Sequence, residues 1–70
     1  MKNKKMWLKI KELNTSGVYK LRDPIFGWGP IEIIVFVDAL EKRLKVIPVH
    51  DPTNPINLNE LSYWLEYREF

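Results

Sequence analysis

The chain has no cysteine and one histidine among its 70 residues. The first absence excludes a disulfide framework, and the two together leave a zinc site short of sulfur and nitrogen ligands. Only three glycines are present. None marks a phosphate-cradling loop or the elbow that exposes a nucleophilic serine. Ser16 and Ser62 fall in turn-forming stretches, and His50 and Asp51 share a proline-bounded loop. A hydrolytic triad would need these scattered groups to converge on an oxyanion site. No catalytic residue, metal ligand or cofactor is therefore expected, and the chain reads as a non-catalytic protein. Long apolar runs are missing too. The most apolar segment, "IEIIVFVDAL", is broken by Glu32 and Asp38 and is far shorter than the roughly 20 residues of a membrane helix. A secretory leader would need an uninterrupted apolar stretch, but "MKNKKMWLKIKEL" returns to lysine at positions 9 and 11. With no cysteine to oxidise, a reducing, cytoplasmic setting is expected and no membrane partner.

What is present points to a folded protein. The chain is 46% hydrophobic and 13% aromatic, unlike a disordered segment. A chain of this size buries only about 60% of its unfolded surface, and without disulfide or metal the remaining aid to stability is self-association. A homo-oligomer is expected on that ground. The formal charge of +2 conceals a division, because residues 1–22 sum to +6 and the rest to −4. Such asymmetry suits an anionic ligand at the first part or head-to-tail contact between copies.

Residues 1–5 read as a basic N-terminal tail and residues 6–70 as one small β domain. In "MWLKIKEL" Met6, Leu8 and Ile10 alternate as in a strand, while Met6, Ile10 and Leu13 also fit a helix face; the strand is preferred. "NTSG" reverses the chain, and "VYKLR" alternates as a half-exposed strand. "IEIIVFVD" is rich in β-branched residues, with Ile31, Ile33, Val35 and Val37 on one face and Ile34 and Phe36 on the other. That pattern predicts a central strand nearly buried on both sides. "LKVIPV" reads as its hairpin partner, with Pro48 at a strand end or edge. The rival is a helix over "DALEKRLK", where Asp38 and Glu41 have capping-box spacing. Asn57 and Glu60 repeat that spacing and predict one helical turn. "YWLEYREF" reads as a last strand, against a helix running on from Asn57. The sum is a small antiparallel barrel or strongly curled sheet of about five strands.

Two groups of residues are candidates for contact. If the first segment is a strand, Trp7, Lys9 and Lys11 project from one face, and Lys20 and Arg22 project together from the next strand. Aligned, they would form a basic stripe beside an aromatic ring, suited to an anionic nucleotide or to nucleic acid. The plainer alternative has the lysines facing water and Trp7 covering the barrel end. The second group is in "DPIFGWGP", where two prolines and two glycines hold Phe26 and Trp28 in a segment expected to be neither helix nor central strand. These rings serve either as a lid on the core or as the apolar anchor for a partner protein. The expected contact residues are Phe26, Trp28, Lys20, Arg22, Lys9 and Trp7.

The elements "WLKI", "ELNTSGVY", "LRD" and "YWL" give the chain a resemblance. With Trp7, Leu13, Gly17, Tyr19 and Trp64 at the matching positions, it resembles short β-rich accessory proteins encoded by tailed phages and prophages. The connection "DALEKR" departs from that pattern, being longer and lacking the Gly or Asn of a tight turn. The resemblance carries over no functional residue. It implies a context in which small proteins inhibit host defence, either by occupying a host protein surface or by sequestering an anionic nucleotide signal. A structural subunit of a larger assembly is the remaining alternative.

Overall fold

A computed structural model describes residues 6–70, so the segment 1–5 read as a tail lies outside the described residues. The protein is mainly β. Its strands are β1 (Leu8–Lys9), β2 (Gly17–Asp23), β3 (Trp28–Asp38), β4 (Arg43–Pro48), β5 (Ile56–Asn57) and β6 (Glu66–Glu69). Single 3-10 turns occupy Ile10–Glu12 and Leu58–Glu60. All six strands join one antiparallel sheet in the order β1-β6-β2-β3-β4-β5. The sheet is open. Its edges, β1 and β5, are two residues each and are not paired to one another, so the expected barrel does not close.

The centre of the sheet follows from local sequence. β3 pairs with β2 through Tyr19↔Ile33 and Leu21↔Ile31, and with β4 through Val35↔Val46. These residues share one face because side chains alternate along a strand. Tyr19, Leu21, Ile33, Val35, Val46 and Tyr67 are all buried there. The segment 38–43 is a hairpin turn and not a helix. Asp38 Oδ1 accepts the Leu40 and Glu41 N–H groups, and the Asp38 carbonyl accepts the Lys42 N–H. Lys42 takes the left-handed position (φ 57°) that Gly or Asn usually fills.

The cover over the buried face comes from the ends of the chain. Residues 58–65 cross from the β5 edge to β6, bringing Leu58 and Leu61 against the core and burying Leu65 within it. From the other side the Ile10–Glu12 turn adds Ile10 and Leu13, tied down where the Ile10 N–H bonds the Leu65 carbonyl at 2.9 Å. This crossing explains two departures from the expected elements. The first segment extends for only two residues before turning over the core, and the last strand starts at Glu66, because the chain before it is spent on the crossover. The helix from Asn57 onward stops after one 3-10 turn, where the Asn57 side chain bonds Glu60. Pro48 ends β4 as expected.

Candidate functional site

Asp23 organises the loop that carries Phe26 and Trp28. It is only 4% exposed at the end of β2, and its carboxylate is fully engaged. Oδ1 accepts the N–H groups of Ile25 and Phe26, both at 2.8 Å, and Oδ2 accepts the Trp64 indole N–H at 3.0 Å. The Asp23 carbonyl takes the Gly27 N–H. Burial pushes the carboxyl pKa up, but the N–H of Phe26, the Trp64 indole, the N–H of Ile25 and the Trp28 indole outweigh it and hold the pKa below the ordinary value. A charge removed from water is tolerated when this many donors face it.

Gly29 lets the returning strand approach β2. A Cβ there would lie 2.7 Å from the Leu21 carbonyl oxygen and 2.9 Å from the Arg22 Cα, and φ is +94°. The close approach coincides with a bulge in β3, where Gly29 and Pro30 together stand opposite Arg22 and shift the β2–β3 register between Leu21 and Asp23. Trp28, Gly29 and Pro30 thus form the start of β3, where it runs beside β2 alone and has not yet met β4, in keeping with a segment that is neither helix nor central strand. The rings are not a lid. Phe26 is 72% exposed and Trp28 41%, while the core is closed by the leucines of the crossover.

The exposed rings continue beyond the loop. Phe26 lies 5.9 Å from Trp64, centroid to centroid, and Trp64 meets Tyr63 edge-on at 5.4 Å. Tyr63 is 78% exposed and also lines a groove of about 470 Å³ with Ile10, Leu13, Leu44, Leu58 and Leu61. Lys11 and Arg43 stand on the walls of that groove. A ridge of aromatic rings therefore runs from the Asp23 loop to an aliphatic depression with basic sides. The sequence marked Phe26 and Trp28 but not Tyr63, Trp64 or the groove. These are assembled by the crossover, and the alternation of "YWLEYREF" offered only a strand pattern.

The basic residues gather on the opposite face of the sheet. Lys9, Lys20 and Arg22 all project there, joined by Arg68, as the pairs Lys9↔Glu66, Lys20↔Arg68 and Arg22↔Glu66 require. The faces align, but with β6 inserted between β1 and β2. Arg22 and Arg68 both sit over the Trp7 ring, 4.1 and 5.2 Å from its centroid. Glu66 binds Arg22 at 2.8 Å and Lys9 at 3.4 Å. The Arg22 guanidinium, with Lys9 beside it, holds the Glu66 pKa below its ordinary value despite partial burial. Much of the expected positive stripe is thus matched inside the protein. Lys11 leaves this face altogether for the groove.

The groups weighed for catalysis, Ser16, His50, Asp51 and Ser62, all lie outside the strands. His50 is exposed, and the Asp51 carboxylate accepts a bond from the Thr53 hydroxyl. Among the described residues no cluster of three metal-ligating side chains occurs, and no helix is long and apolar enough to cross a membrane. No protein-family model, curated protein or solved structure matches the chain.

Proposed function

We propose that the protein is a non-catalytic binder that works by occupying a protein surface, in the manner of a phage-type inhibitor of a host defence system. The observation that carries this reading is the Phe26 ring, held out in water by a turn that Asp23 fixes by accepting the N–H groups of Ile25, Phe26 and Gly27. A large apolar ring presented on a fixed backbone loses little entropy when bound, which is the economy of an interface hot spot. The neighbouring groove refines the partner's chemistry. Its aliphatic floor accepts branched apolar side chains, and Lys11 on its wall favours an acidic group flanking them.

Sequestration of an anionic nucleotide, or binding of nucleic acid, is less well supported, because Glu66 and the Trp7 stack already engage Arg22 and Lys9. The test uses quantitative affinity capture from a host lysate with the native chain, Phe26→Ala and Lys20→Glu. Phe26→Ala should weaken capture of a specific protein by about thirtyfold or more, equivalent to at least about 2 kcal/mol, with an unchanged melting temperature. Capture that survives Phe26→Ala but fails with Lys20→Glu, and that falls steeply with salt, would replace this reading with the nucleic-acid one.

A further inference from the structure

The face of the sheet opposite the core has an unusual middle. β3 is expected to be nearly buried on both sides, and its second face is half-buried at Ile34 and Phe36, but the crossover and both 3-10 turns pack against the other side only. On the other side Val18, Ile34 and Ile47 form a row across β2, β3 and β4, set by the pairs Val18↔Ile34 and Ile34↔Ile47. Phe70 extends the row, since its N–H bonds the Val18 carbonyl at 3.3 Å. Phe36 lies one step along β3 on the same face. Val18 is 44% exposed, and Ile34, Phe36 and Ile47 are half-buried at the centre of the molecule. Beside this apolar row, one step toward the Asp23 end, Lys20 stands directly across from Glu32. Neither makes a salt bridge among the described residues.

We propose that two copies of the chain pair through this face, about a two-fold axis parallel to the strands and midway between β2 and β3. A rotation about that axis keeps the height along the strands and exchanges left with right. Val18 then faces Ile34 of the second copy, and the row Phe70–Val18–Ile34–Ile47 lies on its own reversed image. The same operation sets Lys20 against Glu32 of the second copy, and Glu32 against its Lys20. Two opposite charges at equal height on either side of one axis are self-complementary under it, as an isologous interface requires. A heterologous partner would need no such match. The product is a two-layer sandwich with aligned strands, a common way to bury a second apolar sheet face.

The interface is small. Strands β2, β3, β4 and β6 are 7, 11, 6 and 4 residues long, and at about 3.3 Å per residue and about 4.8 Å between strands they offer about 440 Å² per copy, the size of a weak, transient contact. Dimerisation in the high-micromolar range is the corresponding expectation. It concerns a different face from the aromatic ridge and stands whether or not the proposed function holds.

Sedimentation velocity from about 1 µM to about 1 mM should show a monomer–dimer equilibrium. Lys20→Glu and Glu32→Lys should each weaken it at least tenfold, because like charges then face across the axis. Mixing the two variants should restore a one-to-one heterodimer, since every pair across the axis is again opposite while each copy's own pair remains like-charged. That combination separates contact between copies from a pairing within one sheet. For the native chain, a mixture of copies of natural and heavy-nitrogen isotope content can be cross-linked with a carbodiimide. A Lys20–Glu32 product of mixed isotope content is expected. A monomer at every concentration, single variants that dimerise as the native chain does, or cross-links confined to one isotope would each overturn the proposal.

Discussion

Asp23 carries more of the structure than its charge alone suggests. Its depressed pKa makes it a stabilising group whose contribution depends on pH. A carboxylate with a lower pKa folded than unfolded adds stability that is complete above its unfolded value and is lost as the pH falls through the folded one. Asp38 and Glu66 are depressed as well. For Asp38 the causes are the N–H groups of Glu41 and Leu40 and the Lys45 ammonium, against partial burial; for Glu66 the main cause is Arg22. Melting temperature should therefore be level above about pH 5 and decline as the pH drops through about 4 and below. Asp23→Asn should flatten part of that decline, since one titrating carboxylate is gone. It should also lower the melting temperature at pH 7, because Oδ1 can still accept from Ile25 and Phe26 but the amide nitrogen would confront the Trp64 N–H. Thermal melts of both proteins from pH 3 to 7 check this. A variant curve parallel to the native one would contradict it.

At the scale of elements, the hairpin between β3 and β4 invites a second measurement. Lys42 occupies the left-handed region, which costs a side chain with a Cβ about 1–2 kcal/mol. Lys42→Gly should raise stability by about 0.5–1 kcal/mol after glycine's greater chain entropy is set against that relief, as read by urea denaturation. The hairpin also illustrates what the sequence disclosed. β2, β3 and β4 were legible because each carries a long alternating or β-branched run, and their pairing is between neighbours in the chain. β1 and β6 were less so. Nothing in "MWLKIKEL" indicates that only Leu8 and Lys9 stay extended, because the limit is set by Leu65, more than fifty residues away, accepting the Ile10 N–H. At Trp28–Pro30 proline and glycine argue against a central strand, and the segment indeed pairs with β2 alone; what they do not disclose is that Gly29 permits β3 to pass within van der Waals reach of Arg22.

Over the whole molecule, the division of charge along the chain is undone by topology. The last strand enters between the first and second, so Glu66 from the acidic part falls between Lys9 and Arg22 from the basic part. A formal contrast of +6 against −4 becomes a set of local pairs. The candidate site was legible to the same extent as the fold: Phe26 and Trp28 by their local setting, the groove and Tyr63 only once the crossover is built. The strand order also ranks the molecule's parts by how readily they come undone. β1 and β5 hold the sheet's two ends by two residues each, whereas β2, β3 and β4 are paired along most of their length. Backbone amides of Tyr19, Leu21, Ile33, Val35 and Val46 should exchange with heavy water only when the whole chain opens, whereas those of Leu8, Lys9, Ile56 and Asn57 should exchange by fraying, faster by orders of magnitude. The chain would then loosen from both borders inward, keeping a three-stranded remnant to the last. The strand that enters second to last in space, β6, would be released from β1 while still bound to β2, so the C-terminal segment need not leave in a single step.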